Sequence, residues 1–471
     1  MSQHRRLVSV LLLSLPILLT RAVSPLYAAD PPTQKVDEYL KAAVDILHFN
    51  GSVLVKHEGK ILAARGLGMA NIEHDVPNTP QTKFRIGSIS KSFTALLVLQ
   101  QVDAGKLKLD DPINQYLDHP PEAWQPITIH HLLCHTGGIY NYTDSLEWLA
   151  RQATLNKPEK LVPLFRDKPL QFAPGEKHEY CNSGYILLGL ILEKLTGKDY
   201  ETLVREQIAE PLDMRDTGYD HPNDILPRRA SGYRHAKGKS VNARFIDMAS
   251  ADSAGALYST VEDLSKYDDA LTAGKLLSAD SYAKLFTPVK SDYGYGWVIE
   301  DQSGEKLIWH TGGINGFASS LVRRPDARSC VVALSNYEDG PAHRVSRDLM
   351  ALVQGTEYSL PRVHVAVSID PALYDALAGR YQLALAPEAI LTITREGNRL
   401  MAQLTGQPKC EAFPESETEF FYKVVDAQLS FVKDEAGQAK RLVLHQNGGH
   451  LTAERLPDAP AAKEAAAPAE K

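Results

Sequence analysis

Residues 84–94 read FRIGSISKSFT. Within them, Ser88-Ile89-Ser90-Lys91 sets a hydroxyl one helical turn before an ammonium, at the head of the helical run SKSFTALLVLQQVDAG (90–105). Positions i and i+3 share a helix face, so the two groups can meet. A helix N-terminus favours negative charge developing on Ser88. The same field, with burial, lowers the pKa of Lys91 and lets it accept the serine proton. Ser-x-x-Lys alone is a weak signal. Its bland reading is an N-cap followed by a surface lysine, and Ser90 could itself be that cap, with Ser92 a bystander.

Two further stretches bear on the same chemistry. FAPGEKHEYCNSGYILLG (172–189) contains Tyr180-Cys181-Asn182. Tyr180 could hold or relay a proton near Ser88, and Asn182 could bind a substrate amide or carbonyl. The bland alternative is a loop tyrosine and an N-cap asparagine. IWHTGGING (308–316) ends a predicted strand in His310-Thr311-Gly312-Gly313. Glycines at a strand end let backbone N–H groups approach a ligand closely. Such an N–H can form half of an oxyanion hole, with the Ser88 N–H as the other half. His-Thr-Gly-Gly also occurs earlier, at His135–Gly138.

Taken in order, Ser88-x-x-Lys91, Tyr180-x-Asn182 and His310-Thr-Gly resemble the serine β-lactamase/penicillin-binding protein superfamily, in its class C β-lactamase-related branch. The phrases GKLKLDDPINQYL, ITIHHLLCHTGGI, SAGALYSTVEDLSKY and YGYGW support the resemblance, which spans roughly residues 35–355. It implies a serine hydrolase in which Ser88 attacks an amide or ester carbonyl. Lys91 and Tyr180 would move the proton, with the identity of the base left open. Backbone N–H groups of Ser88 and Gly313 would hold the oxyanion, Asn182 would position the acyl side, and water would release the acyl group. His310 would meet a substrate carboxylate or support Tyr180. The resemblance assigns the first His-Thr-Gly-Gly to a structural turn and the second to the active-site strand. It implies no metal and no organic cofactor. At position 310 the family's usual residue is Lys. Lys is a permanent charge and His only a partial one near neutral pH, which counts against efficient β-lactamase activity. D-amino-acid peptides, small esters and β-lactams remain the candidate substrates. A penicillin-binding or sensing module that acylates with little turnover is the alternative to an enzyme.

The rest of the chain fits an α+β arrangement, an antiparallel sheet flanked by helices with an inserted helical region. KVDEYLKAAVDILH (35–48) reads as an amphipathic helix. SVLVKHEGKILAARG (52–66) reads as a hairpin turning at Glu58–Gly59, and KLIWH, FASSLVRR and SCVVALSN as later strands. SGYILLGLILEKLTG and VEDLSKYDDALTAG read as helices in between. From about Asp370 the pattern has period two, with turns at Glu396–Gly397–Asn398, Ala436–Gly437 and Asn447–Gly448. That predicts a small β-barrel-like domain, which could cover the hydrolase, join copies or hold an apolar ligand. The expected division is a signal peptide at 1–29, a hydrolase domain at 30–358, the barrel-like domain at 370–456 and a disordered tail at 457–471. The leader has basic His4, Arg5 and Arg6, a short apolar run broken by Pro16, and small residues at YAAD. It predicts an exported, periplasmic protein with no stable membrane span after cleavage.

The chain has 471 residues and net charge −7, which argues against nucleic acid as a partner. Four cysteines, Cys134, Cys181, Cys330 and Cys410, are too widely spaced to suggest a disulfide framework, and several of them read as buried thiols. His131, Cys134 and His135 have zinc-like spacing but lack a fourth ligand and the Glu of His-Glu-x-x-His. No Gly-x-Ser-x-Gly occurs, which excludes an α/β-hydrolase elbow. Oligomeric state is open at this level.

Overall fold

The computed structural model describes residues 31–457, apart from 237, 303, 385, 426, 447 and 448. The leader at 1–29, the turn at Asn447–Gly448 and all but the first residue of the tail at 457–471 lie outside the described residues. Helix α1 (Pro31–Leu47) buries Val36, Tyr39, Leu40 and Ala43, the i, i+3, i+4, i+7 stripe of an amphipathic helix. Strands β1 (Gly51–His57) and β2 (Lys60–Leu67) follow as a hairpin. Its turn residues Glu58 and Gly59 both have positive φ, 51° and 77°, which matches the right-handed strand twist.

The remaining sheet strands come from the far end of the same unit: β3 (Val298–Gln302), β4 (Glu305–Ile314), β5 (Phe317–Arg324) and β6 (Ser329–Ser335). The order is β3-β4-β5-β6-β1-β2, antiparallel throughout, with Gly51 opposite Ser335 joining the two ends of the unit. β3 has no counterpart in the sequence reading. It is an edge strand whose outer half, Glu300–Gln302, is charged or polar and carries little alternation.

Period-two alternation divides the sheet into two faces. Leu54, Leu321, Val332 and Leu334 point into the larger core, shared with the inserted region. That region contributes α2 (Ser90–Asp103), α3 (Ile129–Leu133), α4 (Asn182–Thr196) and α5 (Val261–Thr272). Val53, Val55, Val322 and Val331 face the other way, against α1 and α6 (Ala342–Gln354). Tyr39 on α1 donates to Asp348 on α6 at 2.6 Å. All four cysteines are free thiols.

Beyond this unit, eight antiparallel strands form a closed barrel. Its last strand, Gly449–Arg455, pairs back onto its first, Gly379–Leu383. Glu396 opposite Arg399 confirms the tight turn at Gly397–Asn398. The barrel interior is filled by Tyr381, Leu391, Leu400, Phe420, Phe431 and Leu442 rather than being hollow. Among the described residues no helix is long and apolar enough to cross a membrane.

One ionic cluster ties the inserted region to the sheet. Asp268 of α5 accepts from Lys56 of β1 at 2.9 Å and from Arg323 of β5 at 2.7 Å, and all three are buried. Asp268→Ala strips the buried Arg323 of its carboxylate and leaves Lys56 only Asp269, 2.7 Å away, so urea unfolding should show a loss of about 3–5 kcal/mol.

Candidate active site

Ser88 lies in a single tight turn, Gly87–Ile89, that runs directly into α2. This turn touches the end of β4. A Cβ on Gly312 would lie 2.0 Å from the Ile86 carbonyl oxygen, and one on Gly87, where φ is +50°, would lie 2.9 Å from the Gly313 nitrogen. Both residues must therefore be glycine for the helix head to rest on the strand. The Ser319 hydroxyl on β5 pins the contact by donating to the Ile86 carbonyl at 2.7 Å. Ser90 serves structure rather than chemistry: its hydroxyl accepts the Leu257 N–H at 3.2 Å.

Lys91 is completely buried. Its Nζ reaches Ser88 Oγ at 2.9 Å, Asn182 Oδ1 at 2.8 Å and the Ala254 carbonyl at 2.7 Å. These three hydrogen-bond partners are all neutral. Burial therefore dominates and holds the Lys91 pKa well below the usual lysine value. Asn182 opens α4 and is itself held on both sides. Its backbone N–H donates to Asn141 Oδ1 at 3.0 Å, and its Nδ2 donates to Thr143 Oγ1 at 3.1 Å.

Tyr180 stands just before α4, with Lys91 Nζ 4.9 Å from its ring centre. The residue as a whole is 36% exposed, yet protein surrounds its hydroxyl closely enough to desolvate it. That crowding pushes the phenol pKa up, against a smaller opposite pull from a hydrogen bond with Ser88. The phenol is accordingly protonated near neutral pH.

His310 is 4% exposed and engaged through both ring nitrogens. Nδ1 is 2.6 Å from the Thr311 carbonyl, so it carries the proton, and Nε2 then accepts from the Tyr293 hydroxyl at 3.0 Å. Burial, followed by the nearby Lys91, drives its pKa down to about 3. It is a neutral imidazole, and its ring centre lies 6.3 Å from that of Tyr180. The structure thus gathers Ser88, Lys91, Tyr180 and Asn182 at one point, with Gly313 at the adjoining strand end. His310 joins the group through Tyr293.

The first His-Thr-Gly-Gly follows α3 as a turn, with His135 at φ 57° and Gly138 at φ 72°. It also reaches the site: the His135 ring lies 4.3 Å from Tyr180 and 4.7 Å from Tyr293, centre to centre. His131 instead closes a capping box with Thr128, and His130 bonds the Tyr295 hydroxyl at 2.6 Å. Among the described residues, no group of three or more His, Cys, Asp or Glu side chains is arranged to hold a metal.

The Beta-lactamase family model matches residues 36–355, more than half of the chain. This chain belongs to the Beta-lactamase family. A domain of unknown function (DUF3471) matches residues 363–456, the region of the barrel. Penicillin-binding protein 4* of Bacillus subtilis (strain 168) is 28% identical over 86% of this chain and 95% of its own length. The teichoic acid D-alanine hydrolase of Staphylococcus aureus is 30% identical over 55% of this chain and 60% of its own. Among solved structures, the octameric penicillin-binding protein homologue from Pyrococcus abyssi superposes with a TM-score of 0.65 at 26% identity. It covers 89% of this chain and 99% of that one. The Beta-lactamase fold seen here is therefore that of the penicillin-binding protein homologues.

Further members of this Beta-lactamase-family site escaped the sequence reading. Tyr293 sits in the YGYGW phrase and His135 in the repeated His-Thr-Gly-Gly, so both carried a signal. Thr143 of the loop after α3 and the backbone carbonyl of Ala254 carried none, because nothing in their own residue types marks them.

The glycine contacts predict a sharp asymmetry between neighbours. Gly312→Ala should cut acylation about 100-fold by levering the strand off the Ser88 turn. A Cβ at Gly313 meets nothing within 4 Å, so Gly313→Ala should remain active. Rates of labelling by a fluorescent phosphonate check both.

Proposed function

We propose that this protein is an exported serine hydrolase that cleaves ester or amide bonds through an acyl-enzyme on Ser88. The observation that carries the reading is Lys91: fully buried, bonded to Ser88 Oγ at 2.9 Å and to two other neutral groups. An ammonium in that position is costly, whereas a neutral amine can take the serine proton. Tyr180, with its raised pKa, keeps its proton and suits proton delivery to the leaving group. Lys91 is therefore the base in this proposal and Tyr180 the relay. The Ser88 and Gly313 N–H groups receive the oxyanion, and Asn182 orients Lys91 and the acyl side. Water then attacks the Ser88 ester, with the proton passing back through the same pair.

His310 decides among substrates. It is neutral and both its nitrogens are occupied, so the strand offers no fixed charge for a carboxylate. Esters and amides that need no such charge, D-alanyl esters or D-amino-acid amides among them, are favoured over β-lactams. The likeness to the teichoic acid D-alanine hydrolase points the same way. Export is supported by the composition of residues 1–29 and by the likeness to a penicillin-binding protein, and within that reading we assign the protein to the periplasm. We place the hydrolase domain at 30–358 and the barrel domain at 370–456.

Intact-protein mass spectrometry with a p-nitrophenyl acyl ester tests this reading. The wild type should form a transient adduct on Ser88, and Ser88→Ala should lose turnover by about 1,000-fold or more. An adduct on any other residue overturns the assignment. With Lys91 as base, kcat/KM should rise as pH climbs through its lowered pKa, and Lys91→Arg should be inactive at every pH, because a guanidinium stays charged. His310→Lys should improve acylation by carboxylate-bearing penicillins relative to the uncharged ester. An unchanged ratio would place the carboxylate elsewhere.

A further inference from the structure

We propose that His135 is a positioning residue for Tyr180, clamping the backbone on both sides of that tyrosine while packing its imidazole against the phenol ring. The inference rests on the Ser88, Lys91 and Tyr180 reading above. Three contacts converge on one residue. The His135 carbonyl accepts the Glu179 N–H at 3.0 Å. Its Nδ1 accepts the Cys181 N–H at 3.1 Å. Its ring lies 4.3 Å from the Tyr180 ring. Glu179 and Cys181 are the immediate neighbours of Tyr180, so a single side chain and its own carbonyl fix the chain before and after the phenol.

Tyr180 needs such a hold. It lies in a loop, outside any helix or strand, and the residue is partly exposed. Proton transfer, by contrast, demands a fixed hydroxyl.

Two features of His135 go beyond what a plain turn requires. Its backbone is left-handed, a conformation that carries a cost for any residue but glycine. Because Nδ1 accepts, the ring proton sits on Nε2. This atom is buried with no hydrogen-bond partner among the described residues, enclosed by the rings of Tyr180, Tyr185 and Tyr293. A buried N–H without an acceptor is unfavourable, and so is the backbone; such costs concentrate where function requires them. The second His-Thr-Gly-Gly acts in parallel. His310 holds the Tyr293 hydroxyl, and the Tyr293 ring stands edge-on to Tyr180 at 6.3 Å. The two repeats thus box Tyr180 from two sides, His135 directly and His310 through a tyrosine.

The test uses His135→Phe and His135→Asn in the full chain, with p-nitrophenyl ester kinetics, Ser88 adduct formation by mass and thermal unfolding. Phe keeps a ring but cannot accept the Cys181 N–H. Asn can offer its Oδ1 to that N–H and tolerates the left-handed backbone. His135→Phe should lower kcat by about 100-fold while KM moves by no more than about threefold. His135→Asn should recover most of that loss and also the wild-type pH profile.

A folded His135→Phe with wild-type kcat overturns the proposal, as does a folded His135→Asn as impaired as the Phe variant. If His135→Phe does not fold, His135→Asn decides: a loss in kcat and KM together, with an altered pH profile, refutes the clamp. The two readings fail separately. A wild type that forms no Ser88 adduct refutes the hydrolase itself, whereas a wild type that acylates leaves only the His135 variants to decide.

Discussion

A lysine amine enclosed among neutral partners is the constraint on which the rest of this protein turns. Charge on Lys91 would call for a counter-ion, and among the described residues the partners in contact with Nζ are all neutral. Three separate parts of the chain build that enclosure. The Gly87–Ile89 turn and the head of α2 bring Ser88 and Lys91, the start of α4 brings Asn182, and the turn at Asp252–Gly255 brings the Ala254 carbonyl. Displacing any of them would let water or charge reach the amine, so the packing of the inserted helical region is itself part of the chemistry.

The same avoidance of charge extends along the wall beside Ser88. The His310 pKa is held at about 3, chiefly by burial. His135 is displaced downward for the same reason, with Lys91 adding to the effect. A surface of phenols and neutral imidazoles offers polarity and shape without a fixed positive field. That suits an uncharged carbonyl substrate better than one that must be anchored by a carboxylate. The charged cluster of Lys56, Asp268 and Arg323 is confined to the seam between β1, β5 and α5, where each cation meets a carboxylate. The barrel follows a different logic. Its aromatic interior, with Phe420 edge-on to both Tyr374 and Phe431, is a self-contained core.

Much of the architecture was legible because local patterns and tertiary packing agree. The α1 stripe, the Glu58–Gly59 turn and the alternating strands near both ends of the hydrolase unit each carry a period or a backbone requirement that only one element satisfies. Where they did not agree, reading failed. β3 is half polar because it lies at a sheet edge, and sequence periodicity cannot see an edge. The Ser-x-x-Lys pair was legible for a simple reason: the turn that holds Ser88 runs straight into the helix that carries Lys91, so their contact is local.

The sequence by itself determined the residue types that can do acyl transfer, the helix that joins Ser88 to Lys91, and the glycines that let a strand approach them. The tertiary structure alone decided their electrical state and their partners. Whether Lys91 is charged depends on which neutral groups surround it, and those come from residues 182 and 254, far away in the chain. Whether His310 is a cation depends on burial and on the nearby Lys91. Whether the first His-Thr-Gly-Gly is only a turn depends on what its imidazole meets across the fold. Charge and contact are properties of an environment, and no single stretch of chain contains its own environment.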